Sequence, residues 1–400
     1  MARVSRRAHV IRSAFRAALL TLAAPIVALV SLFTLGAFVP RLPRIGVAGS
    51  LVWPTYIGPG VIAGMVGSGA ASGAAALGSK RFGSVLAVLG SVSTLASAVI
   101  LVDQVRAARA AGASVSVSAF SVRRSPKPTP DAVESYAADS DGRPLRAEIY
   151  LPRNPRVESA PLMVYVHGGG WIQGAPDDAS ADLRWFADHG YVVIAPEYSL
   201  ATDSRPTWDV AMSQIGMALA WAAENAERWT ADAERIVVWG GSAGANLALA
   251  ATYASAVDRL ELPNGKSVPR VTAVAGEVPA VDPVYVHDNI DPQWGPATRD
   301  MVRTYIGGDI ADFPERIEAI RVNNYLSPAA PPTLLTACVP DHLVPVAGVR
   351  NFVAEAKRSG VDIQAVYRRW GDHLISARYD GLPNQTMLHL YLRHFRRHGA

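Results

Sequence analysis

The stretch Arg235-Ile236-Val237-Val238-Trp239-Gly240-Gly241-Ser242-Ala243-Gly244 decides how this chain is read. An apolar strand runs into a Gly-x-Ser-x-Gly turn, and the small, helix-forming residues Ala245 to Val257 follow. That order of strand, sharp turn and helix presents a serine at the end of a sheet. Glycines flank the serine because so tight a turn brings backbone and helix within contact distance of it. Ser242 is therefore the candidate nucleophile, exposed and poised to attack a carbonyl.

A second signal lies upstream. His167-Gly168-Gly169-Gly170-Trp171 directly follows the apolar strand Leu162-Met163-Val164-Tyr165-Val166. Three glycines after a strand let backbone N–H groups converge on one point without side-chain obstruction. Gly168, Gly169 and Gly170, with the N–H of Ala243, are the expected oxyanion hole.

A serine hydroxyl is a poor nucleophile until a base takes its proton, so an acid and then a histidine are expected downstream. The run Pro332 to Val339 ends in Pro340-Asp341-His342-Leu343, which puts Asp341 at a strand's C-terminal end, where the active sites of open α/β sheets gather. After the strand Ile363 to Tyr367 comes Arg368-Arg369-Trp370-Gly371-Asp372-His373. His373 is expected to be the general base and Asp341 the residue that orients it. His189, His287 and His342 are rivals that fit the order or the direction less well. Asp282 is a weaker candidate acid, and Asp372 is expected to be a solvated charge.

With these residues in hand, the stretch from about Val133 to the C-terminus resembles the α/β-hydrolase family, and more narrowly its hormone-sensitive-lipase-like esterase branch. The His-Gly-Gly-Gly-Trp run, the Gly-Gly-Ser-Ala-Gly elbow, Asp341-His342-Leu343, His373 and Pro196-Glu197-Tyr198-Ser199-Leu200 carry the resemblance. It implies a carboxylic ester hydrolase acting through an acyl-enzyme, with no metal or cofactor. The chain departs from the branch at Gly241, where an Asp is frequent, and at Ser199, where an Arg often stands. The family also implies a cap near the active site, here expected from Tyr285 to Ser327. Its Trp294, Tyr305, Ile306, Phe313 and Tyr325 would either line a pocket or pack a surface helix.

The first hundred residues are of another kind. No charged residue occurs from Ala17 to Pro40, Ile45 to Ser79, or Phe82 to Val102. Each run is long enough to cross a hydrocarbon core, which takes about 20 residues as a helix. About three spans are expected, 17–40, 56–79 and 82–102, within a membrane domain of residues 1–103. Gly69 and Gly73 form a small-xxx-small spacing suited to close helix approach. A signal peptide would have a shorter apolar core and a clearer cleavage site. Arg3, Arg6, Arg7, Arg12 and Arg16 before the first span, with Lys80 and Arg81 between the later two, outweigh Arg41, Arg44, Arg106 and Arg109. The bias argues for a cytoplasmic N-terminus, and three spans then leave the remainder on the extracytoplasmic side.

Residues 104–132 are expected to be a linker, ending in the basic, proline-rich Arg123 to Pro130. From 133 to 400 strand-like and helical runs alternate, opened by a hairpin around Asp139 to Arg143. That rhythm predicts a mostly parallel sheet with helices on both faces, an α/β fold. The single Cys338 permits no internal disulfide. The net charge of +4 comes from arginines beside apolar runs and at a helix end, so nucleic acid is not the expected partner. The expected partners are a small-molecule or lipid ester and the bilayer. Acyl transfer, peptide or amide cleavage, and a non-catalytic binding role remain as alternatives.

Overall fold

The structure, a computed structural model, describes residues 2–122, 126–154 and 159–400, with side chains from Arg6 onward. The side chain of Arg3, in the basic start, and Arg123, Arg124 and Ser125, in the proline-rich spacer, lie outside the described residues. The chain divides into two compact units, residues 1–124 with 370–387, and residues 125–369 with 388–400.

The first unit is built on four helices, α1 (Ala2–Phe38), α2 (Ile45–Val52), α3 (Ile57–Ala76) and α4 (Lys80–Ala111). The 37 residues of α1 extend about 55 Å, well beyond the thickness of a bilayer core, so its arginine-bearing start projects past the apolar stretch. Large apolar side chains turn outward, Leu22 and Leu29 on α1 and Val88, Val92, Leu95 and Val99 on α4. Small residues turn inward. A Cβ on Gly64 would meet Thr94 and Val30, and one on Gly90 would meet Ser68 and Val27. This arrangement suits lipid, where close backbone approach replaces the hydrophobic drive for helix association.

The close approach is made at only one of the two glycines the sequence suggested. Gly69 has open space around it, and Gly73 meets only Leu19. α1 and α4 are each long and apolar enough to cross a membrane, whereas α2 and α3 form a pair bent by 112°, so the described residues hold two helices able to span, or three such units if the pair counts as one. Hydroxyl and indole groups pair between helices of the bundle: Ser97 Oγ pairs with Thr34 Oγ1 at 2.7 Å and accepts the Trp53 indole N–H at 2.9 Å. α4 also runs on to Ala111, where Gly112 at φ 92° ends it, so the expected linker begins as helix.

The second unit is an eight-stranded sheet in the order β1-β2-β4-β3-β5-β6-β7-β8. The strands are β1 (Ala132–Ala138), β2 (Pro144–Tyr150), β3 (Ala160–Val166), β4 (Val192–Pro196), β5 (Ala231–Gly241), β6 (Val271–Glu277), β7 (Thr333–Cys338) and β8 (Ile363–Arg368). β2 pairs antiparallel with β1 and β4, and every pairing from β4 to β8 is parallel. The hairpin turn is fixed by Asp139, whose Oδ1 accepts the N–H groups of Asp141 and Arg143. The inner strands are near-continuous apolar runs because both faces are covered. Covering helices are α5 (Ser180–Asp188), α6 (Ala211–Glu224), α7 (Ala243–Ala256), α11 (Val346–Arg358) and α12 (Leu382–Arg397). Between β6 and β7 the chain inserts α8 (Pro283–His287), α9 (Gly295–Ile306) and α10 (Pro314–Ile320), where the cap was expected.

Candidate active site

β5 ends in the elbow, and its backbone shows why the glycines are there. Ser242 has φ 54° and ψ −120°, a conformation that L side chains rarely adopt. The turn is held by Ser242 N–H donating to the Glu277 carbonyl at 2.8 Å, and by Ala280 N–H donating to the Ser242 carbonyl at 3.2 Å. A Cβ on Gly244 would run into the Val166 and His167 carbonyl oxygens, and one on Gly240 into the Gly244 carbonyl. Gly241 alone of the three has open space. Ala243 begins α7, so its N–H is among those with no partner inside the helix.

The glycine run after β3 lies against this turn. A Cβ on Gly168 would stand 3.3 Å from Ser242 Cβ and 3.0 Å from the Gly241 carbonyl oxygen, so only glycine lets the two backbones come this close. Gly169, Gly170 and Trp171 follow at φ 117°, 59° and 63°. His167 is a structural member of the loop. Its Nδ1 lies 2.8 Å from the Gly168 carbonyl, its ring stacks on Tyr198 at 4.3 Å, and burial holds its pKa below the ordinary histidine range. The Tyr198 hydroxyl donates to the His167 carbonyl at 3.1 Å, which gives the Pro196–Leu200 motif its place.

The insertion also reaches this loop. Trp171 stacks on Tyr305 of α9 with ring centroids 4.8 Å apart, and the Met301 thioether fills the space a Gly170 Cβ would need. Trp171 Nε1 donates to Asn246 Oδ1 at 3.3 Å, and Asn246 Nδ2 donates to the Ile320 carbonyl at 2.9 Å. Asn246, unremarkable in the sequence, thus ties the loop, α7 and α10 together. Phe313 lies under the Arg316 guanidinium within the insertion, and Tyr325 under that of Arg259, which follows α7 outside it.

Asp341 follows β7, and its Oδ1 accepts the N–H groups of Leu343 and Val344 at 2.9 and 2.8 Å, which fixes the side chain on its turn. The rival residues have other partners. Asp282 caps α8 through Val284 N–H and pairs with Arg321 at 2.9 Å. His287 Nδ1 pairs with Asp288, His189 stacks on Trp185, and buried His342 has Nε2 3.9 Å from Asp291. His373 is buried in the turn segment after β8 and belongs to the first unit with residues 370–387. Asp372 corrects the sequence reading. It is not a solvated charge but fully buried, with Oδ1 accepting His373 N–H at 2.8 Å and Oδ2 accepting the Ser50 hydroxyl at 2.6 Å. Among the described residues no group of three His, Cys, Asp or Glu is arranged to hold a metal ion.

The profile of the BD-FAE family matches residues 147–355, more than half of the chain. Esterase LipQ of Mycobacterium tuberculosis is 28% identical over 202 residues, 50% of this chain and 47% of that protein. Arylacetamide deacetylase of Bos taurus is 35% identical over 117 residues, 28% of this chain and 29% of that protein. The chain thus spans about half the length of LipQ, or less of the other. Among solved structures, the propionate-bound Est2 esterase of Thermogutta terrifontis aligns with a TM-score of 0.54 at 23% identity, over 67% of this chain and 94% of its own, a likeness of fold. The elbow, the glycine loop and the sheet order all lie on or beside the matched stretch, and the chain belongs to the BD-FAE family, on an α/β-hydrolase fold of the hormone-sensitive-lipase-like kind.

Proposed function

We propose that this protein is a membrane-held serine esterase that hydrolyses short-chain or lipid-like carboxylic esters. One observation carries the proposal: Ser242 stands on a strained elbow with the Gly168 backbone directly against it. In this reading Ser242 Oγ attacks the ester carbonyl while His373 takes its proton and Asp341 steadies the imidazolium. The oxyanion is held by backbone N–H groups of the Gly168–Gly170 loop and of Ala243. His373 then protonates the departing alcohol, and water, deprotonated by the same histidine, releases the acid and frees the serine.

The bilayer reading is supported by α1 and α4, both long and apolar enough to span. Counting the bent α2–α3 pair as one crossing gives three, and the arginine-rich start then supports a hydrolase unit on the extracytoplasmic side. A second reading, cleavage of amides on the same site, is favoured by the arylacetamide deacetylase match.

The test is hydrolysis of p-nitrophenyl esters from acetate to palmitate by the full chain in detergent, beside Ser242→Ala. The expected result is activity weighted to one end of the series and about a thousandfold or greater loss of kcat in the variant. Equal rates in both proteins would overturn the serine mechanism. Activity on p-nitroacetanilide alone would favour the amide reading.

A further inference from the structure

The histidine assigned as base sits on a segment that packs among the apolar helices of the first unit. Trp370 is buried with Val30, Ala37, Trp53, Ile57 and Ile100, its ring 4.7 Å from that of Phe38. The Thr55 hydroxyl donates to the Ile375 carbonyl at 3.4 Å, and the Arg378 guanidinium donates to the carbonyls of Ser118 and Ala119 at 2.7 and 3.3 Å. Between these two anchorages lies the Ser50–Asp372 hydrogen bond, 2.6 Å long and buried at both ends.

The geometry of α2 fixes where Ser50 points. Gly49 packs directly on the Gly36 backbone of α1, and Gly46 on the Pro40 carbonyl, with no room for a Cβ at either. α2 is therefore set against α1 by main chain, and its one buried hydroxyl is presented to Asp372. A buried carboxylate needs its lone pairs filled. Asp372 fills one oxygen from Ser50 and the other from the N–H of His373, so the hydroxyl on α2 and the backbone of the base are joined through a single side chain.

We propose that Ser50 is a positioning residue for ester hydrolysis, holding Asp372 and through it the backbone of His373, so that the apolar helices set the general base as well as anchoring the enzyme. The proposal rests on the assignment of His373 as base. A base must stay within hydrogen-bond reach of the serine, and a displacement of about 1 Å costs on the order of a hundredfold in rate. In the proposed function the ester carbonyl is held at the glycine loop, which Ser50 is not argued to act on, so the effect belongs in kcat and not in KM.

The experiment measures kcat and KM of the full chain in detergent for Ser50→Ala, Asp372→Asn, the double variant and His373→Ala, with thermal melting of each. Ser50→Ala is expected to lower kcat about ten- to a hundredfold with KM nearly unchanged. The double variant is expected to be no slower than the slower single variant, because both act through one connection. If Ser50→Ala does not fold, Ser50→Cys keeps the shape with a much weaker donor and is expected to show the same loss of kcat. Wild-type kcat in a folded Ser50 variant, or losses that multiply in the double variant, would overturn the proposal. Wild-type activity in His373→Ala would instead overturn the base assignment beneath it, whatever Ser50 does.

Discussion

At the scale of single residues, the elbow divides its glycines into those that are required and one that is not. Gly244→Ala drives a Cβ into two backbone carbonyls that cannot move without separating β3 from α7, so a loss of roughly 1–3 kcal/mol and of most activity is expected. Gly241→Ala meets nothing, and its melting temperature and kcat should match wild type. A melting curve and an ester assay on the two variants check both halves, and equal damage in the two would contradict the packing described. The elbow at Ser242 and the glycine loop against it were legible in the sequence because each is a turn with a local mechanical reason. Asp372 was not. A charged residue in a Gly-containing turn is exposed by default, and what buries it is a serine separated from it by 322 positions. Asn246 was hidden for the same reason, since its two partners come from the glycine loop and from the end of α10.

At the scale of elements, period and hydropathy found the hairpin, the strands that carry the motifs and the three long apolar helices, because each buries or exposes a whole face. Boundaries and short pieces fared worse. α2 lies inside an uncharged run and gave no separate signal, although Pro54 stands at the break before α3. The start of the linker was missed because Val105 to Ala111 continues the helical period of α4. In the proposed membrane reading the bent pair decides on which side the hydrolase lies, and impermeant maleimide on intact cells tests it. Cys338 is buried, so single cysteines report without it. Glu261→Cys is expected to label from outside and Arg7→Cys only after lysis. Labelling of Glu261→Cys only after lysis would mean an even number of crossings.

At the scale of the whole molecule, acid stability follows from His394 on α12. Its Nε2 lies 3.2 Å from the Pro332 carbonyl, and burial, aided by His398, holds its pKa at about 4 against an ordinary 6.5, with Asp362 pulling weakly the other way. The unfolded chain takes up a proton at this position below pH 6.5 while the folded one does not. Stability is therefore full above that pH and declines between pH 6.5 and 4, by up to roughly 3 kcal/mol. His394→Gln, which keeps a donor but does not titrate, should flatten the melting temperature across that window, and an unchanged slope would refute the assignment. The pairing of Ser50 with Asp372 has a consequence in time. Chains are made from the N-terminus, and domains generally fold as units in that order. The helices and the elbow are therefore synthesised while the segment 370–387, which belongs to the helical unit, is still unmade. With His373 as base, a chain that stops short of residue 370 would carry the elbow and yet be inert, and hydrolysis would wait until the segment 370–387 has come back to helices made long before it.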